Sequence, residues 1–150
     1  MRHSRELSSC VSIQQSALSI QSRIEDAKMK DFTDLLVWRK AHLLTLASYR
    51  STQDFPKQET YGLTSQIRRS AASIAANIAE SCGKRGNAEF HRFLNIASGS
   101  ASELEYHFLL SKDLGFIDAS GYEQLNNDVV EVKRMLASLA RKVNEERRAT

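Results

Sequence analysis

Histidines, cysteines and carboxylates are the residues that most often build a catalytic or metal centre, and their spacing here is unsuited to one. The chain has four histidines, and the Glu-x-x-His pattern of di-metal helical bundles does not occur. Glu103 and Glu105 precede His107, but one such group cannot supply a di-metal site. Cys10 and Cys82 form no CxxC pair and no zinc-ligand cluster. The sequence therefore predicts no metal, no cofactor and no catalytic residue.

Basic side chains give a stronger signal, and the chemistry that they offer is phosphate binding. Arg68 and Arg69 are adjacent, Lys84 and Arg85 lie in a turn between two glycines, and Arg92 follows soon after. No strand pattern precedes the turn, which argues against a phosphate-binding loop. In an antiparallel helix pair, Lys84, Arg85 and Arg92 share one end of the molecule, about four turns from Arg68. We expect these five residues to bind RNA or DNA, although a solvated surface with ion pairs is the simpler alternative.

A second basic group near the C-terminus fits a solvated helix face better than a binding site. Glutamates flank it on both sides at positions 131 and 145. Its members are Lys133, Arg134, Arg141 and Lys142.

Composition limits the chain to a small helical domain. It has 150 residues, of which 41% are hydrophobic and 26% charged, with one proline and six glycines. Those numbers suit a single core and long unbroken helices. The net charge of +3 permits an acidic partner without requiring one. No apolar run is long enough for a membrane span, and no secretory signal is evident, so we expect a cytoplasmic protein with free thiols.

Residues 1–28 differ from the rest of the chain. They are rich in serine and glutamine and contain no Phe, Tyr or Trp, with a weak amphipathic pattern. Met29 opens a segment that reads as a natural start. Two interpretations stay open: an upstream extension that precedes the true start, or a genuine tail that is disordered or weakly helical. In either case residues 29–150 form the domain.

Apolar periodicity predicts four helices, over residues 34–51, 64–82, 88–114 and 122–144. Thr33, Thr64 and Asn87 are the expected N-caps of the first three helices, and Asp118 or Ser120 that of the fourth. The tail after residue 144 is expected to fray. Short connections make consecutive helices antiparallel neighbours, so the fold class is all-α, an antiparallel up-and-down four-helix bundle.

The first helix is apolar over much of its circumference. Leu35, Trp38, His42, Leu46 and Tyr49 fall on one stripe, and we expect that stripe to face the core with Trp38 as an anchor. Further apolar residues widen the surface on its flank: Leu36, Leu43 and Ala47. Such a helix is expected to face both the core and a second partner.

Small residues dominate the middle of the second and third helices, which predicts close packing between them. Gly99 costs helix stability, so we expect a packing reason for it against the second helix. Asn77 and Glu80 interrupt the apolar run of the second helix. They are expected to hold the bundle register or a contact between subunits, with a partly exposed helix face as the alternative for Glu80.

Four ordered segments resemble the four-helix bundle proteins named for the 23S rRNA intervening sequence. The resemblance spans about residues 29–143, and Ser81 departs from it because the family usually has glycine there. The segments are Phe32-x-Asp34-Leu35-x-x-Trp38-x-x-Ala41, Phe55-Pro56-x-x-Glu59-x-Tyr61-Gly62-Leu63-Thr64-x-Gln66-Ile67-Arg68-Arg69, Ser73-Ile74-x-x-Asn77-Ile78-Ala79-Glu80 and Phe93-Leu94-x-Ile96-Ala97-x-Gly99-Ser100-x-x-Glu103-Leu104.

The resemblance implies a bacterial, cytosolic bundle that forms homopentameric rings. Some similar proteins are encoded within inserts in large-subunit ribosomal RNA genes. Others are accessory proteins of diversity-generating retroelements, in which a basic pentamer binds nucleic acid and a reverse transcriptase. Two hypotheses follow for this chain. One is a non-enzymatic scaffold that self-assembles and binds RNA or DNA. The alternative is an oligomeric module that binds a protein partner and has no direct affinity for nucleic acid.

Overall fold

The structure, a computed structural model, describes residues 31–149, and this range folds into four α-helices without a β-strand. Two short 3-10 helices, Phe32–Asp34 and Lys57–Glu59, precede the first and second long helices. The prediction for residues 1–28 lies outside the described residues. The long helices are α1 (Leu36–Ser51), α2 (Leu63–Cys82), α3 (Asn87–Asp113) and α4 (Ala119–Arg148).

Each helix packs against the next one in the chain, and α4 returns to pack against α1. The neighbours run antiparallel because the connections between them are short, and α1 and α3 lie diagonally opposite each other. Side chains join α2 to α3 through Ser73 and Ser100, whose hydroxyl oxygens lie 2.9 Å apart. Lys133 of α4 forms an ion pair with Glu105 of α3. The predicted up-and-down four-helix bundle is therefore confirmed.

The core consists of aliphatic side chains and two buried aromatic rings, those of Phe55 and Phe108. Burying each large apolar side chain contributes about 1.5 to 3 kcal/mol relative to leaving it in water. Small residues on the same stripes, such as Ala71, Ala97 and Ala101, let the helices approach closely. The largest fully buried apolar side chains are Leu44, Ile67, Ile74, Ile78, Leu94, Leu104, Phe108 and Leu136.

The N-caps differ from the expected ones at three of the four helices. Thr33 does not cap α1, which begins after Leu35 without a side-chain capping bond. Asp31 caps the preceding 3-10 helix, where its carboxylate accepts a hydrogen bond from the Thr33 amide at 3.0 Å. Ahead of α2, the Glu59 carboxylate accepts from the Leu63 amide at 2.9 Å, so Thr64 is free to be buried. The expected cap Asn87 is the first residue of α3 instead, after Gly86, whose φ of 102° favours glycine.

The fourth helix begins at Ala119, three residues earlier than expected, and ends later. The Asp118 carboxylate accepts from the Gly121 amide at 2.7 Å, which confirms Asp118 as the N-cap. The helix continues to Arg148, so the prediction of a frayed tail after residue 144 was wrong. Basic residues in the last turn oppose the negative end of the helix dipole and favour this extension.

The expected core stripe of α1 was wrong. Val37, Ala41, Leu44 and Ser48 are buried instead, while most of the predicted stripe, including Leu46, is exposed. Two of these four residues, Ala41 and Ser48, are small and permit close approach to neighbouring helices. The polar Ser48 is tolerated there since its hydroxyl donates to the Leu44 carbonyl at 2.7 Å.

Trp38 lies half-buried at the edge of the core and not at its centre. Its indole packs edge-on against the Phe32 ring, with 4.9 Å between centroids. The His42 ring stacks on the Trp38 indole, with 5.1 Å between the ring centroids and an interplanar angle of 6°. Trp38 therefore fixes the start of α1 as a partly exposed anchor.

Gly99 points away from the second helix, so its expected packing role inside the bundle was wrong. A Cβ atom built on Gly99 would meet nothing within 4 Å. Its neighbours Ala97 and Ala101 are fully buried and make the close helix packing that the small segment predicted. Gly99 itself leaves a shallow place on the exposed surface of α3.

Candidate nucleic-acid interface

A basic and aromatic cluster, consisting of Lys84, Arg85, Arg92 and Phe93, occupies the turn between α2 and α3. The Lys84 ammonium lies 5.1 Å from the centroid of the Phe93 ring, and the Arg92 guanidinium lies 5.4 Å from it. These distances are within the range of cation–π attraction. The ring therefore positions two cations at one end of the bundle, next to a third in the turn.

The cations of this cluster are held loosely. Lys84 pairs with Glu80 at 3.3 Å, and Arg92 pairs with Glu89 at 3.4 Å, both on exposed helix surface. Exposed ion pairs contribute less than about 1 kcal/mol, so a phosphate oxygen can replace either carboxylate. Arg85 is exposed and has no hydrogen bond or ion pair with any residue of the described range 31–149.

Arg68 lies elsewhere and is engaged in holding α1 against α2. Its Nε donates to the Thr52 hydroxyl at 2.9 Å, and its Nη2 donates to the Tyr49 carbonyl at 3.5 Å. The guanidinium also lies 4.8 Å from the centroid of the Tyr49 ring. These contacts satisfy a carbonyl near the C-terminus of α1 and leave little of the cation for a ligand.

Replacing Arg68 with alanine is expected to lower the free energy of unfolding by about 1 to 2 kcal/mol, because hydrogen bonds from a charged donor are lost. Chemical denaturation followed by circular dichroism measures this. Arg69→Ala is the matched control, and we expect less than about 1 kcal/mol for it since its ion pair is exposed. Equal losses for the two variants would contradict a structural role that is specific to Arg68.

Arg69 is committed to the seam between α2 and α3. Its guanidinium donates to the Gln66 amide oxygen at 2.9 Å and forms an ion pair with Glu103. Fifteen residues separate Arg69 from Lys84 along α2, a distance of about 22 Å in a helix. The five cations expected to bind nucleic acid therefore form two separate groups, and only Lys84, Arg85 and Arg92 lie together.

Asn77 belongs to a small polar network on the same seam. Its amide donates to the Ser73 carbonyl at 2.8 Å and to the Ser73 hydroxyl at 3.1 Å. That hydroxyl meets Ser100 across the helix pair, so Asn77 supports the register of α2 against α3 indirectly. Glu80 is exposed and its contact is the ion pair with Lys84. The proposed subunit contacts of both residues stay predictions.

His107 is the titratable group whose environment on this seam is unusual. Its Nδ1 is buried without a hydrogen-bond partner among the described residues. Burial lowers the pKa of the imidazole, the nearby Glu103 carboxylate raises it and the Arg69 guanidinium lowers it, with a net decrease. No group of three His, Cys, Asp or Glu side chains within residues 31–149 could hold a metal ion.

Acidification is expected to destabilise the protein through His107. Its pKa is lowered from an ordinary value of 6.5 in the folded chain, so the unfolded chain binds the proton more readily. Stability from this group is complete above pH 6.5 and decreases as the pH falls toward the folded pKa. Thermal unfolding between about pH 7.5 and pH 5 should show a larger decrease in Tm for the wild type than for His107→Gln. Parallel decreases would assign the effect to other groups.

Cys82 ends α2 beside the basic cluster but does not gain nucleophilic character from it. Burial raises the pKa of the thiol, the Ser81 hydrogen bond lowers it and the Asp31 carboxylate raises it, with a net increase. The thiolate is the reactive form, and the raised pKa disfavours it near neutral pH.

The aromatic member of the cluster was the part that sequence reasoning missed. Phe93 was named from the sequence only as part of the family resemblance, and its side chain is half-buried in the structure. The signal that could have found it is the direct neighbour Arg92 together with the basic turn nine residues earlier. The extension of α4 also brings Arg147 and Arg148 to the same end of the bundle.

None of the helices in the described part of the chain is both long enough and apolar enough to span a bilayer.

Comparison with known proteins places the chain among proteins of one family. No curated protein matches it. A crystal structure of a protein of unknown function from the S23 ribosomal protein family of Bacteroides thetaiotaomicron is similar, with 31% sequence identity and a TM-score of 0.64. The match covers 70% of this chain and 98% of that one. Residues 33–138 match the 23S rRNA-intervening sequence protein family. The chain therefore belongs to the 23S rRNA-intervening sequence protein family.

Proposed function

We propose that this protein is a non-enzymatic, cytoplasmic scaffold that self-assembles, as a pentamer, and binds RNA or DNA through the cluster of Lys84, Arg85, Arg92 and Phe93. The single observation that carries the proposal is the arrangement of two cations over one aromatic ring, beside Arg85, which pairs with no residue of the range 31–149. Cations bind phosphates through charge and hydrogen bonds, and three cations lie together at this end of the bundle.

Arg68 and Arg69 are left out of the proposed interface. Both are engaged in contacts within the bundle, so a phosphate would have to compete with hydrogen bonds that hold helices together. The remaining three cations are too few for tight binding by one chain. Assembly repeats them on every subunit, and several weak contacts on one polyanion then act together.

Fluorescence anisotropy tests the proposal. Labelled single-stranded RNA and duplex DNA are titrated with the full chain over a salt series, and the mass in solution is measured alongside. We expect an oligomer whose affinity decreases steeply as salt increases, because binding releases counterions from the phosphates. An oligomer that binds neither nucleic acid at low salt would overturn the proposal. That outcome would favour an interaction module for a protein partner, of which a reverse transcriptase is one candidate.

A further inference from the structure

The outer side of α1 is an apolar surface that the bundle leaves uncovered. Leu36 is 60% exposed and Leu43 57% exposed, and Leu46 lies on the same side. Arg39 and Arg50 share this side at helical spacing. We call these five residues the α1 face. The outer side of α4 is different, since polar and charged residues occupy it, as a solvated helix requires.

The outer side of α3 carries a second apolar surface with a shallow centre. Ile96 is 40% exposed and Tyr106 58% exposed, and Gly99 and Ser102 lie between them on the same side of the helix. A Cβ atom on Gly99 would meet nothing within 4 Å, so the surface is lowest at that point. We call Ile96, Gly99, Ser102 and Tyr106 the α3 face.

The two faces lie at the same height in the bundle. The Thr45 hydroxyl donates to the Ala71 carbonyl at 3.1 Å, which sets the height of α1 against α2. Ser73 and Ser100, 2.9 Å apart, set α2 against α3. Leu43 and Leu46 of α1 are therefore level with Gly99 and Ser102 of α3. Helices α1 and α3 run in the same direction. A second copy that is rotated about an axis parallel to the helices therefore brings its α3 face against the α1 face of the first copy, with no shift along the helix axis.

Charge also distinguishes the two helices as contact surfaces. Between its ends α1 has three basic residues, Arg39, Lys40 and Arg50, and no carboxylate. Helix α3 has four carboxylates, and each of them lies in an ion pair, with Arg69, Arg92, Lys112 or Lys133. Two copies of α1 side by side would repel each other, whereas the charges along α3 are balanced and do not repel α1. A second copy of this chain therefore fits the α1 face better through α3 than through α1.

We infer that the α1 face of one copy packs on the α3 face of a second copy, with Leu43 and Leu46 seated over Gly99. This inference rests on the self-assembly within the proposed function and names its surfaces. The contact is heterologous, so a dimer keeps one unused face of each kind. Growth continues until the subunits close into a ring. Gly99 lowers the α3 surface so that a bulky side chain of the neighbour can approach.

Two glutamate substitutions test the interface in the full chain, with mass measured by light scattering and sedimentation velocity. Gly99→Glu places a charge on the α3 face and leaves the α1 face unchanged, and Leu43→Glu does the reverse. We expect each variant alone to be a monomer of 16.9 kDa. An equal mixture should form a dimer and no larger species. The α1 face of the Gly99→Glu variant can still bind the α3 face of the Leu43→Glu variant, whereas the two remaining faces each carry a glutamate and would repel each other. Circular dichroism should show unchanged helicity, since both positions are exposed.

Asn127→Glu on the exposed side of α4 is the matched control and should retain the wild-type mass. An assembled Gly99→Glu variant, or a mixture that stays monomeric, would overturn the interface while leaving the proposed scaffold intact. A wild-type chain that is itself a monomer would overturn the interface and the self-assembly of the proposed function together. It would leave the α1 face open to a different protein.

Discussion

Reversing two charges in the turn between α2 and α3, with Lys84→Glu and Arg85→Glu together, is expected to reduce nucleic-acid affinity strongly. If each cation contacts one phosphate of duplex DNA, each lost contact lowers the logarithm of the affinity at 0.1 M salt by about 0.9, a combined loss on the order of 60-fold. The slope of log affinity against log salt should decrease by about two. Anisotropy titrations over a salt series measure both quantities.

A matched variant separates a local effect from a change of overall charge. Arg134→Glu with Arg141→Glu makes the same change in net charge on the exposed side of α4. We expect this control to lose much less affinity and to keep its salt slope. If both double variants weaken binding equally, the interaction is a general attraction to charge, and the cluster around Phe93 has no special part in it.

Those expectations depend on knowing which cations are available, and the sequence alone could not supply this. Arg68 and Arg69 are adjacent, but neighbouring helical residues point about 100° apart. One therefore meets Thr52 on α1 while the other meets Glu103 on α3. Only the bundle, with a neighbour on either side of α2, shows that both cations are engaged. Lys84 and Arg85 were predictable as an available pair because a turn between glycines places them beyond the helix ends.

The helices themselves were predictable because their apolar residues repeat at the helical period and their connections are short. Capping chemistry left Asp118 and Ser120 as candidates for the fourth N-cap, and the bond from Gly121 identifies Asp118. The start of α2 was not predictable by the same logic. Glu59 in the preceding turn reaches the Leu63 amide, so the obvious cap residue Thr64 enters the core side instead.

The orientation of α1 shows why a strong apolar pattern can mislead. Its largest side chains suggested the core side, yet Ala41 and Ser48 are buried while Leu36 and Leu43 are exposed. Close packing against neighbouring helices favours the small Ala41 and Ser48 on the inner side, next to Leu44, and Leu36 and Leu43 then remain outside. The broader prediction, that this helix has apolar surface left for a second partner, stays a prediction, and the exposed leucines are what support it. Gly99 gives a second example, because it lies on the surface and does not pack against α2 as expected.

The core below these surfaces is expected to depend most on Phe108. Its ring is 1% exposed, so Phe108→Ala removes buried atoms and leaves a cavity, with a loss of about 3 to 5 kcal/mol in unfolding free energy. Most small domains have only about 5 to 15 kcal/mol in total, so this loss is a large fraction of the stability. Denaturation in urea measures the change. Leu109→Ala, one residue along the same helix but 39% exposed, is the matched control and should lose less than about 1 kcal/mol. Similar losses at both positions would mean that Leu109 is buried in the assembled protein, which would itself identify a covered surface.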